Sequence, residues 1–277
     1  MTVKDLSGQA IKGYELHEMI GAGGFGAVYR AYQPLIKRDV AMKIILPEYA
    51  NHPEFIRRFE FEAQLVARLE HLHIVALYDY WRDPQGAYLV MRWLRGGSLR
   101  GKLKQGPIEI KTAVQIVDQI AAALNAAHRR DVVHRDIKPD NILFDDEENA
   151  YLADFGIAKD VHEAKVDEGD DGDEGALTGS PFYLSPEQAR SLPVSPQTDL
   201  YSLGIVIYEM LSGQPPFLAD KGLMSILLHH INDPVPPVRE MRPNLPPAVE
   251  SVIQRATAKE PADRYPDALS LANDFRR

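Results

Sequence analysis

Residues 134–141 read HRDIKPDN, a polar stretch bounded by the apolar runs at 132–133 and 142–144. Apolar strands in these two positions would hold the intervening loop rigidly at the edge of a cleft. A further carboxylate, Asp154, follows a third apolar run at 151–153. This pattern favours a reactive site. The alternative is a pair of tight turns, in which Asp and Asn side chains only make local hydrogen bonds.

The residue types in this stretch suit phosphoryl transfer. Mg²⁺ prefers oxygen ligands and takes few carboxylates from a protein when substrate phosphates complete its shell. Asn141 and Asp154 are therefore candidate metal ligands. Asp136 is then left to accept the proton of a hydroxyl group, and Lys138 to offset charge on the transferred phosphoryl group.

A glycine-rich segment, GAGGFGAV at 21–28, lies between two predicted strands. Glycine lets the backbone approach a ligand closely, so the N–H groups of this segment can point at phosphate oxygens. A lone G-x-G-x-x-G is weak evidence, because a glycine-rich hairpin without a ligand has the same pattern. Since a strand follows the segment rather than a helix, the pattern disfavours a Rossmann dinucleotide site.

Lys43 is the one cation in the predicted apolar strand at 39–45. It would lie either on a solvated face or in a cleft, where it would need an anion. Glu62 interrupts the apolar stripe of the predicted helix at 53–69, and burying a carboxylate without a cation is costly. A Lys43–Glu62 pair resolves both positions, with phosphate as a second anionic partner of Lys43.

The apolar pattern changes at the pair Gly96-Gly97. Short runs of β-branched and aromatic residues before it predict strands at 14–20, 27–32, 39–45, 76–81 and 87–93. Helical periodicity and proline breaks after it predict helices at 111–129, 198–212, 221–231, 247–258 and 265–275. The sequence thus predicts an α+β chain with a small β-rich lobe and a larger, mainly helical lobe.

Composition excludes several classes of protein. The 277 residues include 31 Lys and Arg against 40 Asp and Glu, so the net charge of −9 argues against a general nucleic-acid surface. There is no Cys, which excludes disulfides, thiolate zinc sites and cysteine nucleophiles. The chain lacks a secretory signal and a membrane-spanning stretch. We therefore expect a cytoplasmic chain without membrane contact of its own, although a longer parent protein could be tethered to a membrane.

Together, these motifs resemble the eukaryotic-like (Hanks-type) serine/threonine protein kinase family. The resemblance runs from about residue 14 to residue 275, and its pieces occur in family order. They are the loop at 21–28, Lys43, Glu62, the stretch at 134–141, Asp154-Phe155-Gly156, Ser185-Pro186-Glu187, Asp199 and Arg264. The segment YLSPEQAR at 183–190 is similar in sequence to the bacterial branch of this family.

The resemblance implies the bilobal protein kinase fold. It would place an N-terminal extension at 1–13 and a kinase domain at 14–277. Within that domain it implies an N-lobe at about 14–93, a hinge at about 92–97, a C-lobe at about 98–277 and an activation segment at 154–187.

The resemblance also assigns roles. Lys43 would hold the α- and β-phosphates of ATP. Asn141 and Asp154 would bind Mg²⁺, or Mn²⁺ as the alternative metal. Asp136 would orient or deprotonate the acceptor hydroxyl, and Lys138 would offset charge on the transferred phosphoryl group. The implied ATP-binding residues are Ile20, Gly21, Gly23, Gly24, Phe25, Gly26, Val28, Ala41, Lys43, Met91, Arg92, Leu94 and Leu143. The implied structural or regulatory residues are Glu62, Arg135, Phe155, Gly156, Thr178, Ser180, Glu187, Asp199 and Arg264. Glu187 and Arg264 would form a buried ion pair.

The implied activity is transfer of the γ-phosphoryl group of Mg-ATP to Ser or Thr hydroxyls of proteins, autophosphorylation included. The alternative is a pseudokinase or nucleotide-binding scaffold, but the catalytic set of Lys43, Asp136, Asn141 and Asp154 is complete. The expected partners are ATP and protein substrates, and a homodimer through the N-lobe or the activation segment stays open.

The activation segment departs from the family in three ways. Ser185 replaces the commoner Ala, Ser180 stands where the family usually has Thr, and six acids are clustered at 167–174. One hypothesis is that Asp171 or Asp173 partly substitutes for a phosphate near Arg135, although carboxylates carry less charge than phosphate. A solvated acidic loop with no regulatory role is the simpler interpretation.

Overall fold

The structure is a computed structural model that describes residues 4–23, 26–155, 181–218 and 222–277. The chain divides into two units. The described part of the first unit is 4–70 without the glycine-loop tip at 24–25, together with 75–95. The second unit contains 71–74, 96–155 and the described residues from 181 onward.

The described part of the first unit contains six strands and two α-helices. They are β1 (Ala10–Ile11), β2 (Tyr14–Gly23), β3 (Gly26–Gln33), β4 (Arg38–Ile45), α1 (Pro47–Ala50), α2 (Pro53–Ala67), β5 (Leu77–Asp83) and β6 (Gly86–Arg92). The strands form one antiparallel sheet in the order β1-β2-β3-β4-β6-β5.

Both faces of this sheet are covered. On one face Trp81 stacks on Tyr88, with ring centroids 4.7 Å apart, over a cluster that includes buried Met42. On the other face, Phe55 and Phe59 of α2 pack in a cluster with Leu89 of β6 and its neighbours. Burial of these aromatic rings is the main apolar contribution that fixes α2 on the sheet.

The second unit is mainly helical. Its elements are α3 (Leu99–Leu103), α4 (Ile110–His128), β7 (Ile142–Phe144), β8 (Ala150–Leu152), α5 (Pro186–Ala189), α6 (Pro196–Ser212), α7 (Leu223–Asn232), α8 (Val238–Met241), α9 (Pro247–Ala256) and α10 (Ala268–Arg276). Strands β7 and β8 form an antiparallel pair. Among the residues described, no helix is long and apolar enough to cross a membrane.

Helix α6 forms the centre of this unit, since every residue from Thr198 to Leu211 is buried. A helix that is apolar all round must be surrounded by other elements. Gly204 lets α9 approach it closely, because a Cβ at this position would lie 2.9 Å from the Ala256 Cβ. Any larger residue at Gly204 would therefore push the two helices apart.

The predicted fold class is confirmed. Apart from the strand at 132–133, each predicted strand and helix has a counterpart whose ends differ by three residues at most. Helix α10 begins at Ala268 rather than 265 because the Asp267 side chain accepts a hydrogen bond from the Ser270 N–H at 2.7 Å. The strand predicted at 132–133 is wrong: the Val132 N–H donates to the Ala127 carbonyl and closes α4 instead. The lobe and hinge boundaries stay predictions.

A buried histidine should make stability depend on pH. His230 of α7 is fully buried beside the hydroxyl of Tyr201, and burial lowers its pKa to about 3. In the unfolded chain it takes up a proton near pH 6.5, so stability is lost as the pH falls below that value. We expect His230→Gln to reduce the pH dependence of the unfolding free energy by about 1 kcal/mol per pH unit between pH 6 and 4.

Urea unfolding followed by circular dichroism at several pH values would measure this slope. His52→Gln, at an exposed position in the first unit, is the matched control and should keep the wild-type slope. Equal slopes for His230→Gln and the wild type would contradict the prediction.

Candidate active site

The polar stretch at 134–141 forms a loop between α4 and β7 in the second unit. Asn141 is buried, and its Nδ2 donates to the Asp136 carbonyl at 2.8 Å and to Asp136 Oδ2 at 3.0 Å. Lys138 Nζ lies 3.0 Å from the same Oδ2. The structure thus brings three predicted site residues together, with Asn141 and Lys138 both in contact with the Asp136 carboxylate. The amide and the ammonium group orient this carboxylate, whose side chain remains 12% exposed.

Asp199 of α6 anchors the backbone of this loop. Its Oδ2 accepts the His134 N–H and its Oδ1 accepts the Arg135 N–H, both at 2.8 Å. Arg135 has a φ of +65°, a left-handed conformation that is costly for a residue with a side chain. The two hydrogen bonds that the buried Asp199 carboxylate accepts from the backbone support this conformation. His128 Nε2, 2.7 Å from Asp199 Oδ2, is the third contact of this anchor.

His134 connects the loop to the residues around Asp154. It is fully buried, and burial lowers its pKa, so the ring is neutral. Its Nδ1 accepts the Asp136 N–H at 3.2 Å, which places the ring proton on Nε2, where it is donated to the Ala153 carbonyl at 2.8 Å. The ring also contacts Phe155, with centroids 4.5 Å apart.

The two candidate metal ligands are brought close by strand pairing. Ile142 of β7 lies opposite Leu152 of β8, and the Ala153 N–H donates to the Asn141 carbonyl at 2.9 Å. Asp154, the next residue, is half-buried with a φ of +56°. An amide and carboxylate oxygens are the donors that Mg²⁺ and Mn²⁺ both accept, so the donor set fits a divalent metal of this class.

Four of the predicted nucleotide residues lie on one face of the sheet in the first unit. In the register, Val28 and Leu89 lie opposite Lys43, while Met91 lies opposite Ala41. Opposed residues share a face, and so do alternate residues of one strand. Val28, Ala41, Lys43 and Met91 are therefore on one face. It is the face on which α2 packs, because Leu89 belongs to the cluster with Phe55 and Phe59.

Helix α2 bears the predicted partner of Lys43. Glu62 is half-buried on this helix, next to buried Ala63. Lys43 is half-buried on the covered face of the sheet. The Lys43–Glu62 pair stays a prediction that this placement favours.

The glycine-rich segment is the hairpin between β2 and β3. Glycine is required at position 26 by packing alone, because a Cβ there would lie 1.9 Å from the Ile44 carbonyl oxygen. Ile20 is exposed, Gly21 is half-buried and Gly23 is exposed. Gly24 and Phe25 lie outside the described residues.

The remaining residues of the predicted adenine site are Arg92, Leu94 and Leu143. Arg92 ends β6, and its N–H donates to the Ala76 carbonyl at 3.0 Å. Leu94 is buried in the first unit, and Leu143 of β7 is half-buried in the second. Gly156, Thr178, Ser180 and the acidic cluster at 167–174 lie outside the described residues, so the phosphate-substitute hypothesis stays open.

Glu187 and Arg264 form a bidentate ion pair, with both N···O distances at 2.8 Å. The side chains are 6% and 0% exposed. Burial raises the pKa of Glu187, but the hydrogen bonds from Arg264 and from the Thr198 hydroxyl outweigh it and hold that pKa below its ordinary value. Arg264 also donates to the carbonyls of Gln197, Ala258 and Lys259, so it ties several elements of the second unit together.

The sequence did not predict a role for one charged group beside the loop at 134–141. Arg100 of α3 contacts Asp140, Tyr183 and Glu209. The signal in the sequence was Glu209, an acid in the apolar run of α6.

Comparison with known proteins identifies the family of the chain. Residues 14–273 match the family described as "Protein kinase domain". "Serine/threonine-protein kinase PrkC" of Bacillus subtilis is 39% identical over 273 residues, which are 98% of this chain and 41% of that protein. "Serine/threonine-protein kinase PknL" of Mycobacterium tuberculosis is 38% identical over 263 residues, which are 95% of this chain and 64% of that protein.

The chain therefore spans between two fifths and two thirds of the length of these relatives. Among solved structures, the PknI kinase domain of Mycobacterium tuberculosis is 26% identical with a TM-score of 0.77, and the match covers 99% of each chain. On this basis the chain belongs to the protein kinase domain family, in its bacterial serine/threonine branch.

Proposed function

We propose that this chain catalyses transfer of the γ-phosphoryl group of ATP to Ser or Thr hydroxyls of protein substrates, autophosphorylation included. The observation that carries the proposal is the Asp136 carboxylate, oriented by Lys138 and Asn141 at 3.0 Å each on a loop anchored by Asp199. A scaffold that only binds nucleotide has no use for a carboxylate oriented in this way.

Each residue has a defined role in the proposed reaction. The substrate oxygen attacks the γ-phosphorus, the bond from that phosphorus to the bridging oxygen of ADP breaks, and Asp136 accepts the hydroxyl proton. Lys138 offsets negative charge on the transferred group. Lys43, supported by Glu62, would hold the α- and β-phosphates. A divalent metal held by Asn141 and Asp154 would neutralise phosphate charge when bound.

Mg²⁺ is the metal we propose, with Mn²⁺ as the alternative, because the candidate ligands are all oxygen donors. The substrates of the whole protein, its cytoplasmic location and a homodimer also remain proposals. ATP and protein substrates are the partners that membership of the family implies.

Transfer of labelled γ-phosphate to the chain itself and to a Ser-containing peptide tests the proposal. We expect transfer in the presence of Mg²⁺, its loss on chelation, and a loss of about 10²-fold or more in Lys43→Met, because an uncharged side chain cannot hold phosphates. Lys37→Met, at an exposed position in the same unit, is the control and should keep full activity.

Circular dichroism must accompany the activity measurement. A folded wild-type chain that transfers no label above background would refute the proposed function. A Lys43→Met variant that has lost its folded spectrum would make Lys43 a structural residue instead.

A further inference from the structure

Three polar side chains are hydrogen-bonded in series along α7 of the second unit. Ser225, His229 and Asp233 are spaced four residues apart, so they share one face of the helix and the residue that ends it. The Ser225 Oγ lies 3.3 Å from His229 Nε2, and His229 Nδ1 lies 2.6 Å from Asp233 Oδ2. None of the three has a role in the proposed phosphoryl transfer.

The carboxylate sets the direction of these hydrogen bonds. An ionised carboxylate only accepts, so His229 Nδ1 donates its proton to Asp233. In the neutral ring Nε2 then has a lone pair, and the Ser225 hydroxyl donates to it. A serine that donates to a histidine oriented by a carboxylate has the arrangement of a hydrolytic Ser-His-Asp triad.

The histidine ring is fixed and still accessible. It stacks on the buried ring of Phe217, with centroids 5.4 Å apart and the planes inclined by 14°. The His229 side chain is 38% exposed and Ser225 is half-buried, so a small molecule can reach both groups. The dipole of α7 disfavours an acid at the C-terminal end of the helix, so helix stability alone does not account for Asp233.

The start of α7 offers two further features that an acyl ester needs. Ser225 is the third residue of the helix, so its N–H has no partner in the α-helical pattern and can stabilise negative charge on a carbonyl oxygen. Met224 and Leu228 are 66% and 49% exposed and lie one turn apart, next to Ser225 and His229 in the sequence. They form an apolar surface for an acyl group.

We propose that Ser225 is a nucleophile that hydrolyses esters of short apolar acyl groups, with His229 as its base and Asp233 as the positioning residue. The Ser225 Oγ bonds to the carbonyl carbon while its proton passes to His229 Nε2. The ester carbon–oxygen bond then breaks, and the leaving alcohol takes that proton. Water, deprotonated by His229, releases the acid and restores the hydroxyl. This activity needs no ATP, so it is independent of the proposed kinase function.

Labelling of the whole chain by an alkyl phosphonyl fluoride tests the nucleophile, because the serine oxygen bonds to phosphorus as fluoride leaves. Peptide mass spectrometry would measure the rate at each serine. Ser270 is the internal control: it is also half-buried and the third residue of its helix, α10, but Asp274 rather than histidine lies four residues beyond it. We expect label to enter Ser225 at least about tenfold faster than Ser270, because only Ser225 has a positioned base.

Two variants separate the roles of the partners. His229→Gln removes the base and should slow labelling of Ser225 by about tenfold or more. Asp233→Asn should slow it by at least about threefold, because an amide can donate to Nδ1 and so move the ring proton to Nε2. His52→Gln, at an exposed position in the first unit, should leave the rate unchanged.

Release of p-nitrophenol from p-nitrophenyl acetate tests the complete reaction. We expect several equivalents per chain from the wild type and a loss of at least about tenfold in Ser225→Ala. Release of a single equivalent, or equal release from folded Ser225→Ala, would overturn the proposed hydrolysis. Labelling of Ser225 no faster than of Ser270, or unchanged in folded His229→Gln, would reduce the three residues to hydrogen bonds that only stabilise α7.

Discussion

Asp136→Asn is expected to lower the rate of phosphoryl transfer by about 10²- to 10⁴-fold. The substitution keeps the shape of the side chain and removes its ability to accept a proton. Lys138 and Asn141, both 3.0 Å from Oδ2, would still have an oxygen to contact. The backbone of the loop depends on Asp199 rather than on Asp136, so the fold should survive.

Initial rates with labelled ATP and a Ser peptide would measure the effect, and ATP affinity would be measured separately. The affinity should stay within about threefold of the wild type, because Asp136 serves the acceptor hydroxyl rather than the nucleotide. Asp146→Asn removes an exposed carboxylate from the β7–β8 turn of the same unit and is the matched control. A rate for folded Asp136→Asn within tenfold of the wild type would contradict the role of proton acceptor.

The fold could be predicted because its signals are local. Alternating burial in β3 and the apolar stripe of α2 appear directly in the sequence as periodicities of two and of three to four residues. Very short elements such as β1 and α5 were missed, since two to four residues carry no periodicity. The mistaken strand at 132–133 has the same cause, because an apolar pair can close a helix equally well.

The candidate site could be predicted in part. Asn141 and Asp154 lie close because β7 and β8 pair, and the apolar runs at 142–144 and 151–153 indicated these strands. The support of the loop could not be foreseen from residue types alone. Arg135 and Asp154 adopt positive φ values without being glycine, and buried Asp199 supports the first of them from 64 residues away.

Long-range ion pairs were the least predictable feature. Arg100 and Glu209 are 109 residues apart, and α3 is too short to show which face it buries. Such contacts depend on how helices pack in three dimensions. A charged residue in an apolar helix signals that a partner exists, but it does not say which residue the partner is.

Arg264→Met is expected to lower the free energy of unfolding by about 3–5 kcal/mol, because it leaves a buried carboxylate without its cation. Glu187 is 6% exposed and receives two hydrogen bonds of 2.8 Å from Arg264. The substitution also removes the donors of three backbone carbonyls, those of Gln197, Ala258 and Lys259. Adding Glu187→Met should therefore restore only part of the loss.

Urea unfolding followed by far-ultraviolet circular dichroism suits this test, because both Trp residues, Trp81 and Trp93, lie in the first unit. Arg276→Met is the matched control: Arg276 binds Asp118 through two hydrogen bonds of 3.0 and 2.7 Å, but its side chain is 57% exposed. An exposed pair is worth about 1 kcal/mol at most. Equal losses in the two variants would show that burial does not set the strength of the Glu187–Arg264 pair.

The Glu187–Arg264 pair should also make the free energy of unfolding depend on pH in a direction that can be predicted. The pKa of Glu187 is lower in the folded chain than in the unfolded one, because hydrogen bonds from Arg264 and Thr198 outweigh its burial. Its contribution is therefore complete above the unfolded pKa of about 4.3, and it is lost as the pH falls through the folded value. The stability gap between the wild type and Arg264→Met should accordingly narrow below about pH 4. A gap that stayed constant down to pH 3 would mean that packing of the Arg264 side chain, rather than its charge, accounts for the loss.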